Sequence, residues 1–439
     1  MSNKPPGLFL FSIFLTSSIA AQQSDSLLTN ADLQQCVQYA LEHQPTVKQS
    51  LIDEEIVETY IKTRLADWYP QLNFDYSIQH YFEVQKSVFN GTTVNLSAKN
   101  YSAANFSLNQ TIFNPDVLLA RNTRSDVRSQ VKQFTANNKI YTVLNVSKAF
   151  YDVLVTQQQA VLTDEDILRL DRSVKDAYNQ YKAGIVDKTD YKRAQISLNN
   201  ARAQKKQYEE LLTAKYAVLK LLMGYPQQAP LDLIYDSVQV HNEIYIDTLQ
   251  QVNYAARVEF RILQTQRSLL EANVKYYKWN YLPSVSAFVN YNINFFDNSF
   301  SKLFRQGFPF SYAGVALNFP IFEGGKRTQQ IKGANLQLER LTYNYTSLRD
   351  SIQTEYAQAL SAYKSNLNEY YVQRENVDLA EDVYTTIQLQ YRAGVKTYLD
   401  VIIAESDLRS TQVNYLNALY QVLSSKLDVQ KALGEISYQ

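Results

Sequence analysis

Tyr181-Lys182-Ala183-Gly184-Ile185 returns 210 positions later as Tyr391-Arg392-Ala393-Gly394-Val395. At the same offset Asp190 meets Asp400, Ala194 meets Ala404, Leu198 meets Leu408 and Gly224 meets Gly434. Further upstream, Ile112-Phe113 answers Ile321-Phe322 and Pro70 answers Pro283. Leu33-Gln34-Gln35 with Tyr39-Ala40 answers Leu249-Gln250-Gln251 with Tyr254-Ala255. A collinear series of this kind marks a tandem duplication. Repeat one is expected over 21–228 and repeat two over 248–439, with a linker at 229–247.

Each repeat carries the same patterns in the same order. A helical stretch comes first, Ala31 to Asp67 and then Asp247 to Lys278, followed by two β-type runs and a very long segment without proline. No proline occurs from Asp116 to Tyr225 or from Ile321 to Gln439. At about 1.5 Å per residue, Asp116 to Tyr181 as one helix would reach on the order of 100 Å. Within the return segment Tyr191, Ala194, Leu198, Ala201, Tyr208, Leu212, Leu219 and Leu222 recur at three-four spacing, which predicts a coiled-coil seam. Gly184 and Gly394 stand where a helix must stop, so the hairpins should turn near 184–190 and 394–400. Pro45 falls inside the first helical stretch, where it predicts a kink.

The β-type runs, at about 72–84, 101–113, 284–296 and 310–321, alternate regularly. Val285, Ala287, Val289, Tyr291, Ile293 and Phe295 share one face, opposite Ser284, Ser286, Phe288, Asn290, Asn292 and Asn294. Ala313, Val315, Leu317, Phe319 and Ile321 form the apolar face of the last run. In repeat one Phe74, Tyr76, Ile78 and Phe82 oppose Asp75, Ser77 and Gln79, while Ala104, Phe106, Leu108 and Ile112 oppose Asn105, Ser107 and Asn109. Alternation suits a soluble sheet or a membrane barrel equally. Three features favour the barrel. The runs have the length of a tilted membrane strand. Both tryptophans, Trp68 and Trp279, stand just before a strand, where an interfacial aromatic belt belongs. The loops Gln85 to Asn100 and Asp297 to Pro309 are long and polar. Four strands cannot close a barrel, and an open edge in lipid leaves backbone groups unpaired. The barrel must be shared: two chains would give eight strands, and three would give twelve with room for water inside.

Composition narrows the function. The 43 basic and 43 acidic residues of the 439 cancel, which removes the electrostatic footprint of a general nucleic-acid binder. Residues 1–20 read as a secretory signal, with Lys4, an apolar core from Leu8 to Leu15 and a small-x-small site at Ser18-Ile19-Ala20. A single cysteine, Cys36, excludes an intramolecular disulfide. Glu323-Gly324-Gly325-Lys326-Arg327-Thr328 glances at a phosphate loop, but Pro320 occupies the earlier glycine position and Arg327 that of the required Ser/Thr. The two glycines are expected to make a strand-to-helix bend instead. His43, His80 and His241 share no ligand spacing, and Met1 and Met223 cannot form a methionine path for soft metals. No nucleophile–base constellation emerges, so no enzyme, cofactor or resident metal is expected. The alternative to a channel is a soluble periplasmic coiled-coil spacer or adaptor, motivated by the long helices alone.

Asn318-Phe-Pro-Ile-Phe-Glu-Gly-Gly-Lys326 and Tyr391-Arg-Ala-Gly-Val-Lys-Thr-Tyr-Leu-Asp-Val401 resemble two hallmark segments of the TolC-type outer-membrane efflux proteins. The resemblance implies a mainly α chain with a membrane β-barrel portion. Four strands and long coiled-coil helices per protomer would assemble as a homotrimer with a twelve-strand barrel in outer-membrane lipid and a twelve-helix periplasmic tunnel. It implies a passive exit duct for tripartite efflux or secretion. The partners would be a periplasmic membrane-fusion adaptor and an inner-membrane transporter of the RND type. A periplasmic gate would use Thr189 and Asp190 after the first turn with Tyr391 and Lys396 at the second, Asp400 matching an inward-facing acidic ring. Ile403 departs from members with a second acidic residue there, so an apolar ring is expected beside Asp400. The turns themselves, Gly184-Ile185 and Gly394-Val395, would receive the adaptor. Asp190 and Asp400 also suit helix N-terminal caps.

Overall fold

The computed structural model describes residues 28, 30–234, 240–241 and 243–438; the signal-peptide segment and part of the linker lie outside these described residues. Two helices, α1 (Leu33–His43) and α2 (Pro45–Ala66), lead into strand β1 (Gln71–His80). A short hairpin, β2 (Lys86–Phe89) and β3 (Thr92–Asn95), precedes β4 (Asn100–Phe113), α3 (Pro115–Lys182) and α4 (Lys188–Met223). The second half repeats the order with α5 (Val258–Trp279), β5 (Ser284–Asp297), β6 (Gly307–Asn318), α6 (Lys326–Arg392) and α7 (Tyr398–Leu433). α3 has 68 residues and α6 has 67, so each reaches about 100 Å. Their return helices α4 and α7 have 36 residues each.

The four long strands form one antiparallel sheet in the order β1-β4-β5-β6. Its register gathers the apolar alternation of every strand on one face. Leu72 faces Leu108 and Phe74 faces Phe106. Leu108 and Phe106 face Val289 and Tyr291, and Val289 faces Ala313. The other face carries Asn73, Asp75, Asn105, Ser107, Asn290 and Asn292, with the Tyr101 hydroxyl donating to Asn294 Oδ1 at 3.0 Å. Leu72 is 69% exposed and Val315 is 67% exposed, so the apolar face has no cover within the protomer. Among the described residues no helix is long and apolar enough to cross a membrane.

Several boundaries differ from those expected. The first helical stretch is broken, not kinked: Gln44 adopts an extended backbone, ends α1 and caps α2, leaving Pro45 at the first helical position where its missing N–H costs nothing. The second helical stretch begins at Val258, eleven residues later than expected, after a 3₁₀ turn over Tyr254–Ala256. Buried Arg257 fixes that start through ion pairs with Glu259 and Glu355 and a hydrogen bond to the Lys431 carbonyl. The expected loop after β1 holds the β2–β3 hairpin, closed by Asn90 and Gly91, both at positive φ. β1 ends at His80, short of Phe82. β6 starts earlier and ends earlier than expected. It takes in Pro309, opposite Ile293 on an edge strand where a missing N–H is tolerated, and stops at Asn318 before Pro320. Gly324 and Gly325 make the bend into α6, both at positive φ.

The main core lies half-way along the long helices, where Val143 to Leu154 of α3 and Tyr356 to Tyr370 of α6 meet Leu419 to Leu433 of α7. Tyrosines tie the chain between the repeats to this core. The buried Tyr363 hydroxyl donates to the Ile244 carbonyl at 3.0 Å, and Tyr356 donates to the Gln250 carbonyl at 2.6 Å. Each return helix ends here on a left-handed glycine. A Cβ on Gly224 would stand 2.7 Å from the His43 carbonyl oxygen, and one on Gly434 would stand 3.2 Å from Ala256. The two repeats thus make the same close approach, return-helix end against the start of the entry helix. Gly184 has the same φ as Gly224 but open space around it. Gly184→Ala should cost only left-handed strain, about 1–2 kcal/mol. Gly224→Ala should cost a further ~1–3 kcal/mol of overpacking. Thermal unfolding in detergent checks this, and equal losses would contradict the close-packing argument.

Candidate functional site: the hairpin tips

Both turns are built by the same hydrogen bonds. Ala183 ends α3, Gly184 turns at φ +70°, and the amides of Gly184 and Ile185 donate to the carbonyls of Tyr181 and Gln180 at 3.0 and 2.9 Å. In the second repeat Gly394, at φ +75°, and Val395 donate to Tyr391 and Gln390 at the same two distances. This is the glycine-dependent helix C-cap in which two orphan carbonyls are satisfied. It leaves the next side chain pointing outward: Ile185 and Val395 are each 73% exposed. The tip therefore presents two apolar knobs held on a rigid turn.

Behind the turns Ala177, Ala194, Tyr384, Tyr398, Val401, Ala404 and Leu408 form a small buried cluster that joins all four long helices. Tyr391 bridges the turns, its hydroxyl donating to Gln180 Oε1 at 2.8 Å. Burial, with the carboxylates of Asp190 and Asp176 adding, pushes the Tyr391 phenol up. Asp190 lies in the first turn of α4, but the cap of that helix is Asp187, which accepts from the Thr189 amide at 3.4 Å. Thr189 itself is exposed. Asp400 is part of a capping box, accepting from the Thr397 amide at 2.9 Å and hydroxyl at 2.8 Å. Those bonds, with Lys396 adding, hold the Asp400 carboxyl below its usual range. Lys396 Nζ stands 4.0 Å from Asp400 Oδ1. Ile403 is 52% exposed, on the same side of α7 as exposed Leu399.

The structure thus gathers Thr189, Asp190, Tyr391, Lys396, Asp400 and Ile403 at one end of the protomer. No ion pair joins Asp190 to Lys396 among the described residues. Gln180 was missed by sequence reasoning, although a signal existed: the repeated motif extends one residue upstream, as Gln180-Tyr181 and Gln390-Tyr391. Trp68 and Trp279 lie far from this end, Trp68 just beyond the end of α2 and Trp279 as the last residue of α5, each a few residues before a strand, with Arg121 stacked over Trp68.

The model of the outer membrane efflux protein family matches residues 36–225 and 255–435. The chain belongs to that family. Over 308 residues this efflux-family chain is 23% identical to the probable efflux pump outer membrane protein TtgC of Pseudomonas putida, which covers 69% of this chain and 62% of TtgC. It thus spans less than two thirds of that relative. Outer membrane protein TolC of Escherichia coli K12 is 21% identical over 439 aligned residues, covering 94% of this chain and 84% of TolC. The fold is similar to that of the Campylobacter jejuni CmeC outer membrane channel, with a TM-score of 0.71 at 16% identity over 100% of this chain and 95% of CmeC. This is an outer-membrane protein, and none of these relatives is an enzyme.

The Tyr391–Gln180 bond is testable as a pair. Tyr391→Phe and Gln180→Ala should each weaken the tip by about 0.5–1.5 kcal/mol, and the double variant should cost little more than either single one. Amide hydrogen exchange over residues 385–400 reads this, and fully additive losses would show that the two side chains act separately.

Proposed function

We propose that this chain is the exit duct of a tripartite efflux or secretion system, a passive conduit gated at its hairpin tips. The observation that carries the reading is the four-strand sheet, apolar on one face and ending in two free edges, mounted on helices of about 100 Å. In lipid the free edges of β1 and β6 must find partners. Three copies closing edge to edge give twelve strands, with the Asn- and Ser-rich face toward water and the Leu, Phe and Val face toward lipid. Trp68 and Trp279 then sit at one membrane boundary, and the helical portion extends into the periplasm. Exposed Ile52, Ile56 and Tyr60 on α2 suit contact with a neighbouring copy. A soluble spacer is disfavoured, because it would leave the apolar sheet face in water.

At the far end Thr189, Asp190, Tyr391 and Lys396 form the lock, joined between copies by hydrogen bonds and ion pairs, with Asp400 and Ile403 lining the constriction. Exposed ion pairs are individually weak, so a partner that binds the open arrangement better can shift the equilibrium. Ile185 and Val395 are the apolar contacts offered to a periplasmic adaptor, behind which stands an inner-membrane transporter of the RND type.

Purified protein should form channels in planar bilayers, and cells lacking it should become sensitive to drugs or detergents. Absence of conductance together with unchanged sensitivity would sink the proposal. Asp190→Ala combined with Lys396→Ala should raise single-channel conductance, and an unchanged value would refute this assignment of the lock.

A further inference from the structure

Above the tip, the seam between the two hairpins encloses a second polar cluster that the lock does not use. Glu405 of α7 is 7% exposed and Asp166 of α3 is 2% exposed. Arg169 of α3 donates to Asp166 Oδ1. Glu405 Oε1, Asp166 Oδ2 and Arg169 Nε have no hydrogen-bond partner among the described residues. The charge of Arg409 of α7 acts on both carboxyl groups. Tyr384 of α6 and Tyr398 of α7 face Glu405, and α4 places Tyr208 near Arg409. A polar cavity of about 370 Å³ between α3, α4 and α7 reaches Asp166 and Arg409, giving water a route to the cluster.

Two carboxyl groups buried side by side are costly when both are charged, because burial penalises the charge and like charges repel. A buried ion pair holds only when its geometry is good and its remaining lone pairs are satisfied. Asp166 has Arg169 as a direct partner, whereas Glu405 has no ion-pair contact among the described residues. A proton on Glu405 removes the unpaired charge and supplies a donor toward the acceptors around it.

We propose that Glu405 is a proton-binding site built across the seam, and that its occupancy sets how firmly the second hairpin is held against the first. The proposal rests on the reading of the tips as a gate only in so far as loosening of the seam is passed down to them. Burial, with Asp166 adding and Arg169 and Arg409 opposing, pushes Glu405 up from 4.5 to about 7. In a parted seam the carboxyl is hydrated and returns toward its ordinary value. The closed seam therefore binds the proton more tightly. Closure gains progressively as pH falls from about 7 toward 4.5, and that gain is absent above about 7. The full gain is on the order of a hundredfold per protomer, and three protomers would make the response steep.

The test uses the full chain in detergent micelles. Infrared difference spectra across roughly pH 8 to pH 5 should show a protonated-carboxyl band with a midpoint near 7. Glu405→Gln should abolish it, and Asp166→Asn should move its midpoint down. In a Cys36→Ala background, spin labels at Leu168→Cys on α3 and Asp407→Cys on α7 report the width of the seam. Their separation should broaden as pH rises from about 5 toward 7 in the parent, level off above 7, and stay narrow with Glu405→Gln. A band that persists in Glu405→Gln, or a separation that follows pH equally in both proteins, would overturn the proposal. Failure of the lock would show differently, as unaltered conductance in the Asp190 and Lys396 variant while the seam still answers to pH.

Discussion

A backbone amide in hydrocarbon finds no water, so it must be paired within protein. The long helices meet that demand along their own length. The sheet does not, because β1 and β6 each turn one row of donors and acceptors away from it. From this follow the apolar band across all four strands and the placement of helix–strand junctions at one level and, in the assembly proposed above, the need for further copies. The register makes that band continuous: a slip of one residue in any strand would turn its apolar set to the other face. Phe74, Phe106 and Tyr291 lie in line across three strands, so the constraint is satisfied by pairing as well as by composition.

The second constraint is the reversal of a helix of some 100 Å without loss of backbone pairing. Four glycines meet it, two at the tips and two at the core, each at positive φ with the same pair of amide bonds. The tip glycines need only the conformation. The core glycines need the space as well, since the entry segment of their own repeat passes against them. Duplication preserved both requirements, and this is why a five-residue motif and two later glycines were enough to find the hairpins.

What was legible in the sequence was local or periodic: the turns, the alternation, the tryptophans before strands. The rest depended on partners distant in the chain. Val258 begins α5 because Arg257 is held by Glu355 and Lys431, 98 and 174 residues further along the chain, and no periodicity in 247–278 records that. Pro309 reads as a strand boundary until the sheet order puts its strand on an edge. Two misses were readable. Asn90-Gly91 between two β-prone runs is a strong hairpin signal, and Gln44-Pro45 fits a helix restart better than a kink. At the tip, the residue types of the proposed lock were visible, but the Gln180 partner of Tyr391 needed the geometry.

Packing thins from the core toward the tips, and the gradient bears on how the molecule could move. At the core, large side chains such as Tyr363, Tyr370, Leu419 and Leu423 are fully enclosed, and parting them would expose much apolar surface at about 25 cal/mol per Å². Nearer the tip the buried clusters are smaller, and four of their ten members, Ala177, Ala194, Ala201 and Ala404, are alanines. Small residues let helices approach closely but forfeit little area when they separate. The polar contacts change in the same direction: Lys431 and Arg257 hold Glu355 in a half-buried site, whereas Lys396 meets Asp400 largely in solvent. The opening at the tips proposed above would thus break the weakest contacts first. It would proceed upward until it met the interlocked core, leaving the fixed end of each hairpin where the sheet requires it.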